Sequence, residues 1–304
     1  MLYNLLRNLK SRQISIAFSI FSAFTLGMAV FLFWNLNRKP LIEEVVQLCS
    51  IHDVDVLILA EVNFSDSELQ RQLKAKTKSV YFEEHSDFST QKLKFFHRYS
   101  SESTFSVFDN TYGSLTVKSV RPPLGMSILV AAVHLTSKRF ADDNEQSSQA
   151  QLIVKDIENV EKVVGHCRTL VIGDFNMSPF EGGLVNSDAF HSVMSQSTAL
   201  KRQRVVRQTN RNYFYNPMWS RLGDGSEGPP GTYYYSSSRN REFFWHTFDQ
   251  VLLRPDLLPV FKMENLKVLT EIGDIPLLRA HKIDRSFSDH LPIMIKLPIE
   301  LEGL

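Results

Sequence analysis

Short apolar runs recur along this chain of 304 residues, and most of them begin or end at an isolated polar residue. Runs of this length, rich in β-branched and aromatic residues, are typical of buried β-strands. The runs predicted as strands are 28–34, 54–61, 104–108, 113–120, 126–135, 169–176, 248–253 and 291–297.

Two amphipathic segments lie between these strands and predict helices. Pro40 opens the first, whose apolar positions are Leu41, Ile42, Val45, Val46, Leu48 and Cys49. The second, Ser147–Gly165, has its apolar positions at helical spacing and a glycine as its stop. With no internal repeat and no linker after residue 27, the pattern predicts one α+β domain over residues 28–304.

The polar residues at the strand boundaries form a second pattern. Runs end on Asn35, Glu61, His134, Asp174 and Asn176, whereas Asp249 and the pair Asp289–His290 precede runs. Because neighbouring antiparallel strands run in opposite directions, the ends of some and the starts of others meet at one edge of the sheet. We therefore expect these side chains to surround a single site.

The side chains expected at this site suit metal-assisted hydrolysis of a phosphoester. Glu61 offers hard oxygen ligands for Mg²⁺ or Mn²⁺. Asp249 beside His290 would orient the imidazole and stabilise its protonated form, which makes His290 a general base for water. Asn176 and His134 could donate hydrogen bonds to phosphate oxygens as charge develops on them.

The motifs that carry these residues resemble the endonuclease/exonuclease/phosphatase superfamily, the DNase I-like group. The resemblance spans residues 28–304 and rests on WNLN, LILAEV, VHL, VIGDFNMSP, FDQVLL and SDHLPI, in that order. It implies a four-layer α/β sandwich of two mainly antiparallel sheets flanked by helices. A GxAIxSR-like segment common in relatives is not recognisable in 81–120, so no arginine from that stretch is assigned.

The resemblance also implies roles for single residues. It places Asn35 and Glu61 in the metal site, with Asp289 near the metal. His134 would stabilise the transition state, and Asp174 and Asn176 would position the nucleophile or the phosphate. Asp249 would pair with His290, the base.

The N-terminal segment allows more than one interpretation. Ile14–Trp34 is uncharged over 21 residues and follows Arg7, Lys10 and Arg12, as a transmembrane helix with a basic flank would. If 28–34 is instead a core strand, only about 14 apolar residues remain, too few to span a bilayer. Residues 1–27 then form an extension, which could be an anchor, a signal or sequence from a start codon assigned too early. We expect a cytoplasmic protein, with a membrane-anchored or secreted one as the alternative.

Composition and the segment before Asp249 bear on the substrate. The net charge of +1 excludes a strongly basic nucleic-acid coat protein, and two cysteines by themselves make neither a disulfide scaffold nor a zinc site. Residues 189–223 contain six basic and no acidic residues, among them Arg202, Arg204 and Arg207, and aromatic residues are interleaved or follow. A solvated basic loop is one interpretation. The other is a strip that binds phosphates and stacks bases.

These observations favour a monomeric, divalent-metal-dependent phosphodiesterase, a nuclease acting on nucleic acid. The alternatives are a phosphatase or phospholipase-like hydrolase of a lipid or small phosphoester, and a catalytically inactive binding module. A binding module has no need of a general base and the residue that orients it, so the complete set of polar residues speaks against the last.

Overall fold

Both faces of the first strand are buried, which places it between two apolar layers. In the computed structural model, which describes residues 27–84, 92–100, 103–122, 125–225, 227–236 and 243–298, β1 is Met28–Asn35. Phe31 and Phe33 point into one apolar cluster. Leu32 and Trp34, which alternate with them, point into another. The segment 28–34 is thus a core strand, as predicted.

The first sheet has six strands in the order β16-β21-β1-β2-β4-β3. Only β1 and β2 pair in parallel, and every other pair in this sheet is antiparallel. The strands besides β1 are β2 (Val56–Ala60), β3 (Phe82–Glu83), β4 (Leu93–His97), β16 (Leu266–Val268) and β21 (Ile293–Pro298).

The second sheet has seven strands in the order β5-β6-β7-β8-β15-β12-β9. It is also mainly antiparallel, with parallel pairing of β7 with β8 and of β9 with β12. Its strands are β5 (Thr104–Asp109), β6 (Leu115–Val120), β7 (Ile128–His134), β8 (Thr169–Asp174), β9 (Ser192–Val193), β12 (Phe214–Tyr215) and β15 (Asp249–Leu253).

Three apolar clusters separate four layers of structure. One lies between the two sheets. The second lies between the first sheet and the helices α1 (Ile42–His52) and α2 (Asp66–Thr77). The third lies between the second sheet and α3 (Asp143–Val164). The predicted four-layer α/β sandwich of two mainly antiparallel sheets is confirmed.

The capping of α3 explains where this helix begins and ends. The Asp142 side chain accepts hydrogen bonds from the backbone N–H groups of Asn144 and Glu145, and the Glu145 side chain accepts one from the Asp142 N–H. This capping box starts the helix four residues before the predicted Ser147. Gly165 ends it in the left-handed conformation, as expected from its position.

The remaining elements are short and lie in connections between strands of the same sheet. Two are helical turns, α4 (Gly182–Val185) and α5 (Gln196–Ala199). The hairpins pair β10 (Gln203–Val206) with β11 (Thr209–Asn212), β13 (Tyr233–Tyr234) with β14 (Trp245–His246), β17 (Glu271–Ile272) with β18 (Ile275–Pro276), and β19 (Leu278–Arg279) with β20 (Lys282–Ile283). The proposed N-terminal extension lies almost wholly outside the described residues. Among those residues, no helix is both long enough and apolar enough to cross a membrane.

Candidate active site

The strand ends predicted to meet do meet, along one edge of the sandwich. β1 and β2 end there at Asn35 and Glu61, while β7 and β8 end there at His134 and Asp174. The antiparallel strand β15 begins there at Asp249, which pairs with Asp174. We call this edge the polar rim, formed by Asn35, Glu61, His134, Asp174, Asn176, Asp249, Asp289 and His290.

The buried pair of Asp249 and His290 makes the shortest contact between two side chains of the rim. His290 Nδ1 lies 2.9 Å from Asp249 Oδ2 and 3.1 Å from Oδ1. Burial raises the pKa of Asp249 to about 6, against the pull of His290. Burial disfavours the charged imidazole of His290, but the Asp249 and Asp174 carboxylates outweigh it and raise its pKa to about 10. The Asp249 carboxylate and the protonated imidazole of His290 therefore stabilise each other, and Asp249 fixes the ring orientation.

Asp174 is held between the two sheets at the centre of the rim. Its Oδ1 accepts a hydrogen bond from the Asn176 N–H at 2.8 Å, and its Oδ2 accepts one from Asn35 Nδ2 at 3.0 Å. The same Oδ2 lies 3.9 Å from His290 Nε2. Asn35 thus links the first sheet to the second at the point where Asp174 faces the histidine.

His134 lies between two carboxylates. Its Nε2 is 3.7 Å from Glu61 Oε1 and 3.8 Å from Asp174 Oδ2. Burial lowers the pKa of His134 even though both carboxylates oppose that shift. A neutral His134 with an N–H directed at the rim can donate a hydrogen bond to an anion.

The backbone at the rim is strained where two of the predicted residues lie. Glu61 has φ 50° and Asn176 has φ 51°, both in the left-handed region, which costs a non-glycine residue on the order of 1 kcal/mol or more. Such strain persists only where surrounding contacts fix the chain. For Asn176 they include its side-chain N–H bonded to the Leu135 carbonyl at 2.9 Å and its own carbonyl bonded to Gln146 at 3.0 Å.

Gly173 permits the close approach of β7 and β8 beside the rim. A Cβ built on this residue, whose φ is 152°, would overlap the carbonyl oxygen of Val133. The strands therefore bring His134 and Asp174 into register only if residue 173 has no side chain. The glycine lies within the VIGDFN motif, yet the sequence alone does not show which neighbour it must avoid.

Several further residues fix the His290 loop and were missed by the sequence reasoning. Trp34 Nε1 donates to the His290 carbonyl at 2.9 Å. Ser288 Oγ donates to the Asn35 carbonyl at 2.6 Å and accepts from the His290 N–H at 3.1 Å. The Tyr233 ring centroid is 4.7 Å from that of His290, and the two backbones form a β-bridge. Trp34 and Ser288 lie within the WNLN and SDH motifs, and these motifs are the sequence feature from which their roles could have been predicted.

The rim offers oxygen and nitrogen ligands for a cation. Asp174, Asp249 and His290 place one such atom each within 4.8 Å of one another. Glu61 and Asp289 are more exposed, with side-chain exposures of 30% and 21%. Within the described part of the chain, the Glu61 carboxylate has only contacts of 3.7 Å, to Arg38 and His134. A carboxylate held this loosely beside a buried one fits a hydrated divalent cation.

The three predicted substrate-binding arginines do not join the rim. They lie on or beside the β10–β11 hairpin, whose neighbour Tyr213 is at the end of β15 opposite Asp249. Arg202 pairs there with Asp256 at 2.5 Å, and Arg204 donates to His191 at 2.9 Å. Because β15 alone spans about 15 Å, Arg202 and Arg204 lie about one strand length from His290.

Comparison with known proteins agrees with this architecture. An endonuclease/exonuclease/phosphatase family protein from Bacteroides thetaiotaomicron is 12% identical, with 91% of this chain and 97% of that chain covered and a TM-score of 0.55. The human Nocturnin catalytic domain with bound sulfate is 15% identical. The match covers 88% of this chain and 93% of that chain, with a TM-score of 0.52. A 3′ phosphatase from Neisseria bound to a product DNA hairpin is 14% identical. That match covers 88% of this chain and 99% of that chain, with a TM-score of 0.49.

At the level of sequence, no curated protein matches the chain. The model of the Endonuclease/Exonuclease/phosphatase family matches residues 32–290, from β1 to the histidine of the rim. Members of this family are hydrolases that act on phosphoesters and generally use divalent metals. The chain belongs to the endonuclease/exonuclease/phosphatase family.

Proposed function

We propose that this protein is a divalent-metal-dependent phosphodiesterase that cleaves nucleic acid, with His290 as the general base. The observation that carries the proposal is the geometry of one histidine. His290 Nδ1 is bound to the buried Asp249 carboxylate at 2.9 Å, while its Nε2 faces the rim, 3.9 Å from Asp174. A base, the residue that orients it and anion-binding donors thereby share one site.

His290 would remove a proton from water at Nε2. For this, Nδ1 must carry the hydrogen donated to Asp249, so that the Nε2 lone pair is free. Asp249 holds that tautomer and stabilises the imidazolium that forms when the proton arrives. Its complete burial keeps water from competing for the same hydrogen bond.

Asn176 and His134 would bind the phosphate. Asn176 uses one side-chain N–H on Leu135 and keeps a second donor. His134 supplies an N–H from between Glu61 and Asp174. Donors that folding has already oriented stabilise the charge that grows on the phosphate oxygens in the transition state.

Glu61, Asn35 and Asp289 would hold the cation. Asn35 Oδ1 accepts a hydrogen bond from the Asn37 N–H at 3.0 Å and keeps a second lone pair. A divalent ion bound here would act as a Lewis acid towards a phosphate oxygen, and its positive charge would lower the pKa of His290.

The test is hydrolysis of bis(p-nitrophenyl) phosphate and of labelled oligonucleotides with Mg²⁺ or Mn²⁺. His290→Ala and Glu61→Gln should each lower turnover by on the order of 10² or more, because they remove a base and a metal ligand. His281→Ala and Glu264→Gln, at exposed positions outside the rim, are the matched controls. Wild-type rates in both rim variants would refute the mechanism.

A second candidate is hydrolysis of a lipid or small phosphoester. It is favoured by the phenylalanines exposed at the rim, Phe180 and Phe243, which also suit an apolar surface. Phosphoinositides and sphingomyelin tested beside DNA and RNA distinguish the two. Faster turnover of a lipid would select the second candidate and leave the catalytic roles unchanged.

A further inference from the structure

Exposed aromatic side chains are concentrated at the catalytic end of the molecule. Within the described residues, those with the largest exposure are Tyr112, Phe140, Phe180, Tyr235, Phe243, Phe244 and Phe82. All but Phe82 lie on loops next to the polar rim, whereas Phe82 pairs with His97 at the other end of the first sheet. Arg202 and Arg204, at the base of the β10–β11 hairpin, lie at that far end too, so the fold separates the aromatic residues from these basic ones.

One group of these rings is attached to the catalytic pair through the backbone. The β13–β14 hairpin begins at Thr232, whose hydroxyl accepts the Asp249 N–H at 3.0 Å and whose carbonyl accepts the Leu291 N–H at 2.7 Å. Tyr233 next to it forms the β-bridge to His290. The position of the hairpin relative to His290 is therefore set by hydrogen bonds on both sides.

From Tyr233 a continuous series of rings runs outward. Tyr233 stacks on Phe248 at 5.1 Å, and Phe248 stacks on His246 at 4.8 Å. Next come Phe243, 6.2 Å from His246, then Phe180, 5.8 Å from Phe243, then Trp219, 6.4 Å from Phe180. We call the three outer rings, Phe243, Phe180 and Trp219, the aromatic strip.

The aromatic strip is poorly explained as part of the core. Phe243 is 68% exposed and Phe180 is 43% exposed, so neither ring gains much from burial. Their contact with each other is edge-to-face, so the two rings are not stacked on one another. Exposed rings in a line that starts at a phosphate-hydrolysing site indicate a ligand that carries flat rings next to a phosphate.

We propose that the aromatic strip stacks on the unpaired bases of a single-stranded segment on one side of the scissile phosphate. The inference rests on the proposed function and specifies its substrate. A polynucleotide strand alternates phosphates with flat bases. The protein offers the matching arrangement, in which His290 would face a phosphate and the line of aromatic rings beyond it would face the bases. Stacking needs free base faces, which a paired duplex does not offer.

The test moves a single abasic residue along a labelled oligonucleotide, one position at a time on both sides of the cleavage point. Phe243→Ala and Phe180→Ala should raise KM about 5- to 150-fold on the intact strand, the equivalent of about 1–3 kcal/mol per stacked base. That penalty should disappear when the missing base is the one that stacks, at one or two adjacent positions on one side only. Val205→Ala, which removes an exposed apolar side chain at the far end, should change nothing.

Three results would overturn the inference. The penalty could be the same at every abasic position, which would mean that the rings support the fold. It could be absent on the intact strand. Or the wild-type protein could hydrolyse a small phosphodiester but no oligonucleotide and bind phosphatidylcholine–phosphatidylserine vesicles through Phe243, which would make the strip a membrane contact. In that last case the phosphodiesterase chemistry would still hold, whereas loss of all hydrolysis would refute the proposed function itself.

Discussion

At the scale of single residues, the Asp249 carboxylate is one of the groups that set the charge of His290, the proposed base. The Asp249 carboxylate helps to raise the pKa of His290, and a base works only above its pKa, so the rate should rise with pH. Asp249→Asn removes that negative charge. The pKa of His290 should then fall, and the rising limb of the pH–rate profile should move to lower pH while the maximal rate drops.

The measurement is kcat/KM from pH 5 to 10 at saturating Mg²⁺, for the wild type and Asp249→Asn. Circular dichroism of the variant shows whether the fold is intact. An unchanged midpoint in a folded variant would mean that another group titrates. An unfolded variant would indicate that Asp249 has a structural role.

Gly173 gives a prediction about backbone packing. Gly173→Ala should force β7 and β8 apart beside His134 and Asp174, because its Cβ would overlap the Val133 carbonyl. We expect a loss of about 1–3 kcal/mol in the free energy of unfolding, measured in urea, together with reduced activity. Gly225→Ala is the control, since a Cβ there meets no atom within 4 Å. Equal stability of the two variants would contradict the assigned packing.

Single residues also show how far the sequence reveals the site. Asp174 and Asp249 could be predicted to meet because antiparallel strand direction places the end of β8 beside the start of β15. The position of Arg204 could not, because it depends on which way a hairpin leaves β12, and no local pattern encodes that direction. The Tyr233 contact with His290 was equally hidden, since it arises from a β-bridge between residues 57 apart in sequence.

At the scale of secondary-structure elements, loss of strand β1 should prevent the protein from folding. It pairs with β2 on one side and β21 on the other, and both of its faces are buried. A protein that begins at Met28 should fold and retain activity, whereas one that begins at Leu36 lacks the strand and Asn35 and should not. Circular dichroism and phosphodiester hydrolysis of both proteins check this. If the protein that begins at Met28 is insoluble whereas the full-length protein is soluble, residues 1–27 are part of the fold.

The long apolar runs could be predicted as strands. A strand that contains charged residues, β4, and a largely polar helix, α2, could not be predicted. Each of the eight predicted runs contains a strand, because buried strands of a layered sandwich are apolar on both faces. β4 was missed since its LKFFH sequence carries a lysine and a histidine. Lys94 is paired with Asp66 and Glu83, and His97 with Glu84, so pairing in three dimensions makes these residues compatible with a strand. The helix α2 is largely polar, and its two buried leucines, Leu69 and Leu73, give too weak a periodicity.

At the scale of the whole molecule, the polar rim and the base of the β10–β11 hairpin lie at opposite ends of the sandwich. Arg207 and Gln208 form the hairpin turn with positive φ at both positions, which is typical of a tight type I′ turn. About 15 Å of β15 separate the level of Asp249 from this region. A stacked nucleic-acid strand advances about 3.4 Å per nucleotide, so only a substrate of more than about five nucleotides could reach from one end to the other.

The role of the arginines should therefore depend on substrate length. Replacing Arg202, Arg204 and Arg207 together with alanine should raise KM for long oligonucleotides and flatten the dependence of binding on salt, because fewer counterions are released. Dinucleotides and bis(p-nitrophenyl) phosphate should be cleaved at the wild-type rate. Replacing Lys74, Lys76 and Lys78 with alanine is the control. These lysines are exposed at the end of α2, so the replacement removes the same charge from another layer of the sandwich. Equal losses on long and short substrates would mean that the arginines support the fold through Asp256 and His191. If the arginine and lysine triples behave alike on long substrates, the hairpin is an ordinary solvated loop, and recognition of the substrate belongs to the rim alone.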